Sequence, residues 1–225
     1  MNKQSIQHYY DQLASDYDAN RFGNSYGQYL HAQEHQIMQA WLQGAAPTAS
    51  IDLGCGTGRF LQYAHYGVDF SEQMLTQALH KFPKHQLIQA SITNTPFLDQ
   101  SFQAAFSLHV FFHLEKHTIK QVLQEAHRIL QPRGVLIIDF PSAARRQLVK
   151  YKKEGWHGNT ALSLPELQQA IEGLFVLEQQ QGVMLFPVHR IPKVLRSPLR
   201  VFDSLLCQTF LRHWASYYFV YLRRI

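Results

Sequence analysis

The chain has 225 residues, 46% of them hydrophobic and 13% aromatic, which is ample for a buried core. Its 16% charged residues are too few for a disordered polyelectrolyte, and no apolar run reaches the ~18–20 residues of a membrane-spanning helix. The N-terminal segment has no secretory-type apolar stretch, and Cys55 and Cys207 alone make neither a disulfide framework nor a zinc site, so a globular cytoplasmic protein is expected.

Residues 5–18 and 28–42 read as two helices, the second with Tyr29, Ile37, Met38, Trp41 and Leu42 on one stripe. Residues 44–48, with Pro47, form a linker. An alternating pattern then begins. Residues 50–53 read as a strand, 54–58 as a glycine-rich turn, 59–65 as a short helix and 66–70 as a second strand. Ser71 caps a helix reaching Lys81, with Glu72 in its first turn. Strands follow at 86–90 and 102–108, then a helix at 117–130. A turn at Pro132 and Gly134 leads into 135–138, an apolar run expected of a strand buried on both faces. Strands alternating with helices predict a doubly wound, mostly parallel α/β sheet.

Past residue 140 the pattern changes. Residues 141–163 read as a basic loop, 164–172 as a helix, and 174–181 and 216–222 as two more strands. The thirty-odd residues between those strands are too many for a bare loop. Pro198, followed by Leu199, Phe202, Leu205, Leu206 and Phe210, predicts an amphipathic helix starting there. Charge follows the same division. Residues 1–140 carry nine Lys/Arg against eleven Asp/Glu, a balance of −2, and residues 141–225 carry twelve against five, a balance of +7. Such a basic third suits an anionic ligand, a membrane surface or simply solvent.

The chemistry concentrates in Asp52-Leu53-Gly54-Cys55-Gly56-Thr57-Gly58. A glycine-rich turn after the first strand lets backbone pass close to a ligand at the carboxyl edge of the sheet. Asp69 ends the second strand, where a carboxylate accepts hydrogen bonds from ribose hydroxyls. The pair predicts a nucleoside-containing cofactor. Arg59 departs from a dinucleotide fingerprint, and no phosphate-binding G-x-x-x-x-G-K-[ST] loop is present.

This stretch resembles the first motif of the class I S-adenosylmethionine-dependent methyltransferases. Residues 67–75, 101–113 and 125–132 are similar to that family's later motifs in the same order. The resemblance implies a seven-stranded Rossmann-like sheet whose last strand is antiparallel, with S-adenosylmethionine as cofactor. It implies that Gly54, Cys55, Gly56 and Gly58 carry the methionine and ribose portions, and that Asp52 orients the loop. Asp69 would hold the ribose, Phe70 and Met74 would pack on adenine, and Ser91 and the backbone N–H of Ile92 would meet its edge. The Leu108 backbone would lie near the methionine end, and Tyr17 and Arg21 would fold over the cofactor. The usual acidic residue after the third strand is Ser91 here.

His109, then His113, are the candidate bases, because both fall at the end of the fourth strand and imidazole suits neutral pH. Ser107-Leu108-His109-Val110 stands where base-modifying enzymes carry [DN]-P-P-[FY], and neither cysteine is placed for cytosine chemistry. Nucleic acid is therefore not expected, which leaves a small-molecule acceptor and no metal. The rival readings are a lipid or quinone-like acceptor at a membrane surface, drawn from the basic, apolar residues 190–212, and a cofactor-binding regulator without chemistry. One domain is expected over 1–225: a helical cap at 1–45, a cofactor core at 46–140, and a substrate-side half at 141–225 with a helical insertion about 182–214. The N-terminal helices around Tyr17 and Arg21, the loop at Trp156 and His157, and the insertion between Gly182 and Trp214 are expected to form an acceptor lid.

Overall fold

The computed structural model describes residues 3–152 and 160–225. Helices α1 (Lys3–Leu13), α2 (Tyr17–Phe22) and α3 (Ser25–Trp41) precede the sheet. The alternating part follows as β1 (Ser50–Leu53), β2 (Tyr66–Asp69), α4 (Glu72–Lys81), β3 (Gln86–Gln89), β4 (Phe102–Ser107), α5 (Lys116–Ile129) and β5 (Leu130–Pro141). The last third adds α6 (Ala143–Leu148), α7 (Leu164–Ile171), β6 (Phe175–Val183), α8 (Lys193–Leu206) and β7 (Tyr217–Arg224). The strands form one sheet in the order β3-β2-β1-β4-β5-β7-β6. β1 to β5 pair in parallel, and β7 runs antiparallel between β5 and β6. The expected Rossmann-like sheet is present, with its antiparallel last strand.

Period-two alternation along the central strands builds two apolar layers. On β5, Leu136, Ile138 and Phe140 join the layer beneath α5 and α7, while Val135 and Ile137 face Leu30, Ile37 and Met38 of α3. Both faces being covered explains the unbroken apolar run read at 135–138.

Several elements differ from the sequence reading. The expected helix at 5–18 is two helices, broken by a turn at residues 14–16. Residues 59–65 form turns and one 3₁₀ turn, Leu61–Tyr63, because the β1-to-β2 crossover is too short for a helix. The turn at Pro132 and Gly134 is absorbed into β5, whose pairing with β4 shifts register between Phe102 and Ala104. Residues 141–163 are not all loop, since Ser142 caps α6 through the Arg145 N–H. Pro198 lies inside α8 rather than at its start. Trp156 and His157 lie outside the described residues.

The cap is set by a close helix crossing. Asn24 caps α3 by accepting from the Tyr26 and Gly27 N–H groups at 3.0 and 2.9 Å. A Cβ at Gly27 would fall inside contact distance of the Arg21 carbonyl oxygen and 2.6 Å from the Phe22 Cα. Gly27→Ala must therefore push α2 off α3, at about 1–3 kcal/mol for an overpacked crossing. Urea unfolding should show that loss, and an unchanged midpoint would mean the crossing relaxes freely.

Candidate active site

The carboxyl ends of β1, β2 and β4 open into a cavity of about 290 Å³, roofed by α1 and α2. The turn at residues 54–58 forms its floor. Gly54 and Cys55 both donate their N–H to the Val68 carbonyl, at 2.7 and 3.0 Å, which ties the turn to β2. The three glycines have separate reasons to be glycine. A Cβ at Gly54 would strike the Val110 side chain, and one at Gly58 would strike Leu61, Ala78 and Phe82 behind the turn. A Cβ at Gly56 would meet no atom within 4 Å, and its φ of +51° lies in the left-handed region. Gly56 lines the cavity and Gly58 does not, so Gly58 serves packing against α4.

Asp69 sits at the end of β2 in the cavity wall. Its Oδ2 accepts from the Gly56 N–H at 2.8 Å and its Oδ1 from the Ser71 N–H at 2.9 Å. Burial raises this carboxyl to about 6, while those backbone donors pull against the rise. Asp52, also in the wall, is held well above the usual carboxylate range by burial and then by Asp69. Phe70, Met74, Ser91, Ile92, Leu108, Cys55 and Tyr17 all border the same space, and so do His109 and His113. The Ser91 hydroxyl is engaged locally with Thr93 Oγ1 at 2.8 Å. Arg21 lies outside the cavity with its guanidinium 6.0 Å from the Tyr17 ring, so it backs the roof rather than lining it.

The cap is latched by groups the sequence reading missed. Asp18 accepts from Thr57 Oγ1 at 2.6 Å, and Lys81 bonds both Asp18 and the Thr57 carbonyl. Asp11 accepts from Ser71 Oγ, the cap of α4. Tyr10 borders the cavity and shares a 2.8 Å hydrogen bond with His113 Nε2. Burial pushes the Tyr10 and Tyr17 phenols upward, so both stay neutral.

His109 joins a buried polar group drawn from four elements. Its Nε2 lies 2.5 Å from Glu34 Oε1, and Glu34 Oε2 pairs with Arg59. Its own N–H donates to Asp139 Oδ1 at 2.6 Å, which holds the residue at a φ of +60°. Asp139 Oδ2 is buried without a hydrogen-bond partner among the described residues, 3.9 Å from His109 Nδ1. Burial alone would raise Glu34, but Arg59 and His109 outweigh it and hold the carboxyl at about 2. Burial raises Asp139 to about 6. Ligand atoms of Glu34, His109 and Asp139 lie within 4.8 Å of one another, yet the Arg59 guanidinium already supplies the positive charge there. Glu34 and Asp139 were not singled out in the sequence, although each left a signal there. Glu34 interrupts the apolar stripe of α3 between Leu30 and Met38, and Asp139 interrupts the apolar run of β5.

Residues 51–138 match the methyltransferase domain family. An uncharacterized protein of Methanocaldococcus jannaschii is 33% identical over 138 residues, 60% of this chain and 51% of its own length. A 2-phytyl-1,4-naphtoquinone methyltransferase of Nostoc punctiforme is 28% identical over 66% of this chain and 70% of its own. Among solved structures, a SAM-dependent methyltransferase from Thermotoga maritima, a possible histamine N-methyltransferase, superposes with a TM-score of 0.68 at 18% identity, covering 97% of this chain and 99% of that one. Family match, glycine loop and sheet order together support a class I S-adenosylmethionine-dependent methyltransferase with S-adenosylmethionine as cofactor. The chain spans about half the length of the Methanocaldococcus relative.

Proposed function

We propose that this chain methylates a small-molecule acceptor carrying a flat apolar ring. The carrying observation is that Asp69 and His109 stand in the walls of one cavity, a nucleoside-binding carboxylate and a proton-accepting ring facing shared space. The residues present fit the cofactor: the open side of Gly56 and the Asp69 carboxylate are what a ribose on backbone requires. When bound, S-adenosylmethionine supplies a methyl group activated on a sulfonium.

Asp69 accepts from the ribose hydroxyls, Phe70 and Met74 flank adenine, and Ser91 and the Ile92 N–H stand at its edge. Asp52, Cys55 and Leu108 close the floor towards the methionine end, and Tyr17 covers it. Gly58 and Arg21 act from behind. Transfer itself asks for in-line positioning more than covalent help. On the acceptor side, the Phe22 ring borders the cavity 6.3 Å from the His109 ring, in a largely apolar lining suited to a flat acceptor, while Phe112 and Tyr217 pack on His109 from outside that lining. Glu34 and Asp139 flank the two ring nitrogens of His109, Nε2 at 2.5 Å and Nδ1 at 3.9 Å, and the ring is the group proposed to take a hydroxyl proton. His113, held by Tyr10, also lines the cavity. The quinone acceptor in the name of the Nostoc relative supports the lipid- or quinone-like version of this reading.

Incubation with methyl-labelled cofactor and a panel of phenols, reduced quinones and amines tests it. Label should appear in a ring-bearing product and be lost in His109→Ala. Cofactor binding without transfer to any acceptor would leave a regulator instead. A pH series adds a second check. Asp69 must be ionised to accept two hydroxyl donors, so affinity should be level above pH ~7 and fall as pH drops through about 6, by up to ~10-fold per unit. Calorimetric titration at pH 5 matching that at pH 7.5 would remove Asp69 from the ribose.

A further inference from the structure

Helix α8 is inverted: its polar side is buried and its apolar side faces solvent. Asp203 is fully buried, accepting from Tyr29 Oη at 2.8 Å and from the Leu185 N–H at 3.0 Å. Ser204 accepts from Gln33 at 3.1 Å, and Arg196 donates to Ser25 Oγ at 2.7 Å. These bonds fix the helix rotation against α3. At 100° per residue, the opposite side then carries Val194, Val201, Phe202 and Leu205, which are 83, 56, 54 and 57% exposed. Phe210 and Trp214, in the 3₁₀ turn that follows, extend the same exposed apolar surface. A contiguous apolar ridge of this kind marks a contact surface rather than ordinary scatter.

Charge selects the partner. Residues 182–225 hold seven Lys/Arg and one carboxylate, the buried Asp203. The adjoining helix α3 carries one acid, Glu34, which is also buried. Of the seven cations, Arg223 pairs with Glu178 and Arg224 bonds the Leu130 carbonyl at the far end of β7, so the charge beside the ridge is that of Arg190 and Lys193, exposed at its start, with no exposed carboxylate on α3, α8 or the 3₁₀ turn. A second copy seated on this face would bring like charges together. An anionic lipid surface answers both features at once, accepting the apolar side chains below the headgroups and the cations among them.

We propose that the outward face of α8 docks the protein on an anionic lipid bilayer. Arg196 ties the N-terminal half of α8 to the start of α3, which abuts α2, the roof of the cavity. The docked helix is thus joined through α3 to the cap that roofs the cavity. The docking itself does not depend on methyl transfer, and its test needs no acceptor.

Flotation of the full chain with phosphatidylcholine vesicles, with and without phosphatidylglycerol, reads it directly. The protein should float with the anionic vesicles and release in high salt. The Phe202→Ser/Leu205→Ser variant should bind about tenfold more weakly or worse, with melting temperature and cofactor affinity kept. The Arg190→Glu/Lys193→Glu variant should lose the preference for phosphatidylglycerol. No flotation with anionic vesicles, or flotation unchanged in both variants, would overturn the proposal. So would a concentration-dependent dimer, in place of flotation, that Phe202→Ser/Leu205→Ser dissolves, since the face would then belong to a second copy.

Discussion

Gly56→Val should weaken S-adenosylmethionine binding by at least ~100-fold, about 2.7 kcal/mol, while leaving the protein folded. At Gly56 a Cβ meets no protein atom within 4 Å, so a valine side chain enters the cavity where the cofactor would lie against backbone. The substitution also places a branched side chain at a φ of +51°, with strain of roughly 1–2 kcal/mol. Gly44→Val separates the two effects. Gly44 has a φ of +89° and equally open surroundings, but it lies in the linker before β1 and away from the cavity. Both variants should lose similar stability in thermal unfolding, and only Gly56→Val should lose binding in calorimetric titration. Equal cofactor affinity in the two would overturn the floor assignment.

Glu34→Ala should be the most damaging single truncation in the site, on the order of 3 kcal/mol, because it leaves the partly buried Arg59 and His109 without their shared counter-charge. Glu34→Gln keeps the shape and one acceptor, so its loss should be smaller. The pH dependence gives the sign. Glu34 is held at about 2, below the value near 4.3 of an unfolded chain, so its contribution is present above pH ~4.3 and is lost as pH falls towards 2. The gap in unfolding free energy between parent and Glu34→Ala should therefore be constant from pH 5 to 7 and shrink at pH 3. A gap unchanged at pH 3 would mean that Glu34 acts through packing rather than charge. Turnover should fall with the loss of His109 orientation, and Glu34→Gln should restore part of it.

Much of the cavity lining could be read from one dimension. Gly56, Asp69, Phe70, Met74 and Leu108 fall on strand ends and the turns beside them, and β–α alternation brings such ends to one edge of the sheet. Arg21 and Gly58 were placed too literally. Arg21 shares the short helix that roofs the cavity, but it is exposed, with its guanidinium 6.0 Å from the Tyr17 ring and outside the cavity lining. Gly58 belongs to the same glycine pattern, yet it answers to α4 behind the turn.

Local pattern was enough for the sheet, the order of its elements and the kind of ligand its turn accepts, because period, turn chemistry and strand-end carboxylates are properties of neighbouring residues. Tertiary structure alone decided the rest. Glu34, Arg59, His109 and Asp139 come from separate elements, and only packing of α3 across the sheet turns four scattered polar residues into one buried group. The same holds for α8. Its amphipathic pattern was legible, but a hydrophobic period does not say which side faces inward. Hydrogen bonds from Tyr29 and Gln33, more than 150 residues away, bury the polar side and leave the apolar one in solvent. Satisfying a buried carboxylate outweighed covering a valine or leucine, since an unpaired buried charge costs several kcal/mol and an exposed aliphatic side chain far less.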